Sequence, residues 1–96
     1  MFVTMVEAEV APDRVPDLRD AWARAIAGDI PDGLFESKLL NAPDGRWRIV
    51  TVWESQEAVL AMRASGVPPA AVAMFEAAGA TPTVSAWVVE GHLEIR

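Results

Sequence analysis

The chain has 96 residues, a net charge of −6 and a pI near 4.6. An acidic surface argues against nucleic acid and anionic membrane as partners. With no cysteine, disulfides, thiolate nucleophiles and cysteine-based metal sites are excluded.

The length fits one domain spanning residues 1–96. A chain this short buries a limited share of its surface. Yet 52% of its residues are hydrophobic, more apolar material than one small core readily hides, and self-association is the simplest outlet. Glu7 and Glu9 interrupt the opening apolar run, so it does not read as a signal peptide. No stretch approaches the 18 or so apolar residues of a membrane span. The expectation is a cytoplasmic protein.

Phe2 to Val10 reads as the first strand, with Phe2, Val6, Ala8 and Val10 on one side and Val3, Met5, Glu7 and Glu9 on the other. Pro12 and Asp13 open a helix, where a proline is tolerated in the first turn. Val15, Leu18, Trp22 and Ile26 recur at spacings of three and four and form an apolar stripe. Gly28 ends that helix, and Pro31, Asp32 and Gly33 supply turn chemistry. Leu34 to Leu40 reads as the second strand, with Leu34, Glu36, Lys38 and Leu40 facing opposite to Phe35, Ser37 and Leu39. Pro43, Asp44 and Gly45 make a hairpin loop.

The stretch Arg46 to Val59 carries the most information. Trp47, Ile49, Thr51 and Trp53 alternate with Arg48, Val50 and Val52, as in a half-buried strand. The period then changes. Ser55 reads as a helix N-cap, and Glu57 lies in the first turn, where the helix dipole favours negative charge. Trp53 thus stands at a strand end, a common place for a residue facing a pocket between sheet and helix, although large aromatics at such positions also serve as core. The following helix runs to about Ala64, with Val59 and Met62 inward; Ser65 to Pro69 breaks it. A second piece, Ala70 to Ala78, places Val72 and Phe75 on one side, and Gly79 caps it. Thr81 to Glu90 is the last strand, Val84, Ala86 and Val88 opposing Ser85, Trp87 and Val89, and the tail from Gly91 to Arg96 alternates as though extending it.

The order β-α-β-β-α-β predicts an α+β, ferredoxin-like fold: an antiparallel sheet with helices on one face. The third and fourth strands are apolar on both sides, so the face away from the helices needs a second cover, and a second copy of the sheet supplies it.

Three features resemble the antibiotic biosynthesis monooxygenase family. They are the turn Pro31-Asp32-Gly33-Leu34, the junction Trp53-Glu54-Ser55-Gln56-Glu57-Ala58, and the β-α-β-β-α-β order itself. The resemblance implies a homodimer in which two sheets close a dimeric α/β barrel. It also implies a pocket between sheet and helices for a bulky aromatic, phenolic or polyketide-like molecule. Some members of the family oxidise such rings with dioxygen and no cofactor; others cleave haem. Two positions depart from the pattern. Cofactor-free members place an asparagine where this chain has Ile49, and haem-degrading members place a histidine where it has Arg63. The sole histidine, His92, lies in the tail, and there is no tyrosine. Haem cleavage is therefore not expected.

The residues then assigned are Trp53 and Arg63 as catalytic donors to a substrate anion, and Trp22, Ile49, Met62, Met74 and Phe75 as substrate-binding walls. No metal and no cofactor is expected, since one histidine cannot build a multidentate site. Three functions stay open: a cofactor-independent monooxygenase, a dimeric ligand-binding or accessory protein, and a cyclase or isomerase of the same superfamily.

Overall fold

The computed structural model describes residues 1–66 and 69–95. Four strands, β1 (Phe2–Glu9), β2 (Leu34–Asn41), β3 (Arg46–Trp53) and β4 (Thr83–Val88), form one antiparallel sheet in the order β2-β3-β1-β4. Three α-helices, α1 (Val15–Ala27), α2 (Gln56–Ala64) and α3 (Ala70–Ala77), lie on one face, with a short 3₁₀ turn at Pro12–Arg14 leading into α1. The fold is the α+β, ferredoxin-like one.

The inward set of β1 and β3 is the alternating set of the sequence. Phe2, Thr4, Val6, Ala8, Trp47, Ile49, Thr51 and Trp53 are all buried. The main core joins Val6, Ala8, Trp47 and Ile49 of the sheet to Leu18 and Ala21 of α1 and to Met74, Phe75 and Ala78 around α3. A smaller cluster, Phe2, Trp53 and Val59, anchors α2, with Leu34, Ala58 and Met62 packed against it. The Ser55 hydroxyl accepts from the Ala58 N–H at 3.3 Å, so the expected N-cap is present and fixes where α2 starts.

Three sequence expectations need correction. The first concerns the phase of β2. A bulge between Leu34 and Glu36 throws Phe35 outward, where it is 62% exposed, and shifts the phase of the residues that follow. Leu34, Ser37 and Leu39 therefore face the helices, whereas simple alternation put Leu34 opposite to the other two. The second concerns β4, whose six residues are all exposed; the helices do not reach across Val84 and Val88. The third is the tail. Residues 90–95 are not strand, and the Val89 N–H to Met1 carbonyl bond at 3.2 Å follows directly on the end of β4. Part of the expected break after α2, Val67 and Pro68, and the last tail residue, Arg96, lie outside the described residues.

Gly28 ends α1 with an ordinary negative φ of −90°. Gly33 is different. Its φ is +84°, and a Cβ built on it would come within 2.7 Å of the Ala58 Cβ. The turn can lie against the start of α2 only because that atom is missing, and the 2.6 Å bond from the Glu54 N–H to the Gly33 carbonyl holds it there. Gly33→Ala is expected to cost about 2–3 kcal/mol, combining left-handed strain with the clash. Gly45 has a similar φ, +86°, but open space around it, so Gly45→Ala should cost only about 1 kcal/mol. Urea denaturation of the two variants side by side checks the difference.

Candidate active site

Helices α1 and α3 pack on one part of the sheet and α2 on another, and a cleft of about 280 Å³ opens between them. Its size is near the small end of the range typical of ligand pockets, about 300–1,000 Å³. Trp22, Ala25 and Ile26 of α1 line one wall; Val59, Met62 and Arg63 of α2 line another; Ala71, Val72 and Met74 of α3 complete it. The floor is the sheet, through Thr4, Val6, Ser37, Ile49, Thr51 and Trp53. Asp29, Ile30 and Pro31 stand at one edge and Val84 at another.

Of the seven residues singled out in the sequence, six line this cleft: Trp53, Arg63, Trp22, Ile49, Met62 and Met74. Phe75 does not. It has no exposed surface and sits wholly inside the main core. Phe75 is the next residue after Met74 of the wall, about 100° further round α3, and apolar spacing alone does not resolve that difference.

The Trp53 side chain is 4% exposed, and its indole N–H donates to the Thr4 Oγ1 at 3.0 Å. The N–H expected to meet a substrate oxygen directly is thus engaged inside the protein. Beside it the Ser37 and Thr51 hydroxyls are bonded to each other at 3.0 Å. Thr4 pairs across the sheet with Thr51, and Thr51 with Ser37. The three hydroxyls therefore form one row across β1, β3 and β2 on an otherwise apolar floor. In the sequence Thr51 and Ser37 stand out only as strand positions, and Thr4 not at all. The available signal was a hydroxyl at the same inward register in three strands.

Arg63 and Asp29 are the charged groups of the wall. Arg63 is exposed and has no carboxylate partner among the described residues. Asp44, whose carboxyl is held below the usual range by hydrogen bonds from Arg46, lies in the β2–β3 hairpin, away from the cleft. A second hollow, about 260 Å³, lies on the sheet around Glu7, Leu40, Asn41 and Arg46 to Arg48. An ion pair from Arg48 Nε to Glu7 Oε2 at 2.7 Å occupies it, and it lacks the continuous apolar walls of the cleft. Apolar walls with a few placed polar groups make the cleft the candidate site.

The chain matches the family model for antibiotic biosynthesis monooxygenase over residues 1–88 and belongs to that family. Solved structures agree on the fold. A candidate antibiotic biosynthesis monooxygenase from Deinococcus radiodurans superposes with a TM-score of 0.74 at 16% identity, over 100% of this chain and 99% of that one. The haem-degrader MhuD of Mycobacterium tuberculosis, solved with two haems in its active site, gives 0.69 at 25% identity over 98% and 100%. SnoaB, a cofactor-independent oxygenase from Streptomyces nogalater, gives 0.68 at 19% identity over 96% of each chain. No curated protein matches the chain. For haem, the donor set of this cleft does not fit: its lining holds no imidazole, thiolate or phenolate to ligate iron, and His92 is in the tail.

Proposed function

We propose that the chain is a cofactor-independent monooxygenase that oxidises a bulky aromatic compound, phenolic or polyketide-like, in the cleft between sheet and helices. The observation that carries this reading is the cleft itself: apolar walls rich in Trp and Met, a narrow row of hydroxyls on the floor, and one unpaired arginine. Family membership and the likeness to a cofactor-independent oxygenase support it. Dioxygen attacks an electron-rich ring as its anion, so the protein's task is to favour that anion and exclude water. Arg63 supplies positive charge for it. Met62 and Met74 adapt to a flat hydrophobic body. For an anthrone the change balances as one CH₂ plus one O₂ giving one C=O plus one H₂O.

Two copies of the chain pack with their sheets face to face. Val3, Met5, Val50 and Val52 are only half-buried on the sheet face away from the helices, and Leu40 and Trp87 are 44% and 57% exposed there. Such a face is a natural dimer interface.

One observation favours a second reading, a binding or accessory protein. Asp29 is the only carboxylate on the wall among the described residues, and Ile49 stands where active relatives are expected to carry an asparagine, so the cleft is poor in general bases. Dioxygen uptake with an anthrone-type phenol separates the two. The monooxygenase reading expects one O₂ consumed per quinone formed. Binding without uptake would select the accessory reading, and product formed without dioxygen would select a cyclase or isomerase.

A further inference from the structure

The hydroxyl row has protons left over. An indole N–H only donates, so in the Trp53–Thr4 bond the Thr4 oxygen is the acceptor. The Thr4 O–H then remains, and among the described residues it has no acceptor, although the residue is only 8% exposed and lines the cleft. The Ser37–Thr51 pair uses one of its two protons and keeps the other. Thr4 and Thr51 are direct cross-strand partners, which places their Cβ atoms about 4.5–5.5 Å apart. Two unused donors therefore belong to one row, the first on Thr4 and the second on its neighbour Thr51 or, one strand further, on Ser37, and the floor around them is Val6, Ile49 and the Trp53 ring. A buried hydroxyl proton without an acceptor is costly in a dry site.

We propose that Thr4 is the residue that meets the ligand's oxygen, and that Trp53 is a positioning residue behind it. The inference rests on the reading of the cleft as the ligand site and adds what the cleft recognises: a carbonyl or phenolate oxygen on the edge of a flat apolar body. The Trp53 N–H restrains the Thr4 hydroxyl by occupying one of its two lone pairs, which leaves the proton the other staggered positions, and a ligand oxygen in the cleft draws it there. The same bond polarises the hydroxyl and makes it a better donor. The proton left on the Ser37–Thr51 pair reaches the same oxygen or its neighbour. Donors with no acceptors at the floor also predict discrimination against ligands that bring only hydrogen-bond donors there.

The test compares two tricyclic probes that differ by one acceptor, 9-fluorenone and fluorene. Binding is read by quenching of tryptophan fluorescence in the full chain. Wild type is expected to bind the ketone about fivefold more tightly, the worth of one ordinary hydrogen bond. Thr4→Val keeps the shape and removes the O–H; the preference should fall to about one while fluorene still binds. Thr4→Ser should restore it. Trp53→Phe leaves the hydroxyl but frees its orientation, and the ratio should fall part of the way, which a merely structural role for Trp53 would not produce. A preference that persists in Thr4→Val, or is lost in Thr4→Ser, overturns the proposal. An unchanged ratio in Trp53→Phe overturns the positioning role. Failure of wild type to bind either probe is a different result: it overturns the cleft as the ligand site, and this inference with it.

Discussion

Phe75→Ala should destabilise the protein by about 3–5 kcal/mol, the largest stability loss expected of any single truncation here. Phe75 has no exposed surface, is among the largest fully buried side chains, and joins α3 to the core under α1. Its removal leaves a cavity that the closely packed sheet and helices cannot readily close. Against a total stability of roughly 5–15 kcal/mol, the loss should move the urea midpoint far down. Had Phe75 been a ligand contact, the truncation would weaken binding and leave the midpoint nearly in place.

The second large effect concerns assembly. Light scattering is expected to give twice the 10.4 kDa chain mass, and Val50→Arg is expected to return the single mass. Val50 sits at the middle of β3 on the face away from the helices, opposite Met5 on β1 and Lys38 on β2. By symmetry a dimer carries the substitution twice. An unpaired charge buried in an interface costs roughly 3–5 kcal/mol, more than a hundredfold in Kd. Within one chain the same side chain is only half-buried, so the arginine can reach water and the monomer should stay folded. A wild type that scatters as a monomer would remove the barrel.

The sequence carried most of the architecture, because period-two and period-3.6 patterns report burial directly. Trp47, Ile49, Thr51 and Trp53 are inward as their alternation requires, and the Ser55 cap marks the start of α2. The face of β2 was harder to read. The run Leu34 to Leu40 alternates acceptably in either phase, and one bulged residue decides between them. That ambiguity hid Ser37, which belongs to the cleft floor. Thr4 was hidden for another reason. A threonine among valines reads as an ordinary strand residue, and only the tertiary pairing with Thr51 and Trp53 gives its hydroxyl a context. Trp53 illustrates the limit from the other side. Its place on the cleft was legible from the strand-to-helix junction, but the direction of its N–H depends on a residue 49 positions away.

These corrections change how Trp53 enters the chemistry. A substitution that removes its N–H alters the site through Thr4, so its effect should follow the ligand's oxygen and not its hydrophobic area. Arg63, Trp22, Met62 and Met74 line the cleft, and the donor role of Arg63 toward a substrate anion and the wall roles of the other three are part of the proposal.

The central claim is that an aromatic ligand lies in the cleft between sheet and helices. The four indole N–H resonances of Trp22, Trp47, Trp53 and Trp87, assigned by single Trp→Phe substitutions, test it most directly. Trp22 and Trp53 line the cleft, Trp47 is packed in the core against Arg19, and the Trp87 indole is on the exposed strand with its N–H on Ser85. Titration with 9-fluorenone should shift the Trp22 and Trp53 resonances together, saturably, and leave Trp47 and Trp87 close to their starting positions. Shifts at Trp87 alone, with Trp22 and Trp53 unmoved, would contradict the account and place the ligand on the opposite face of the sheet.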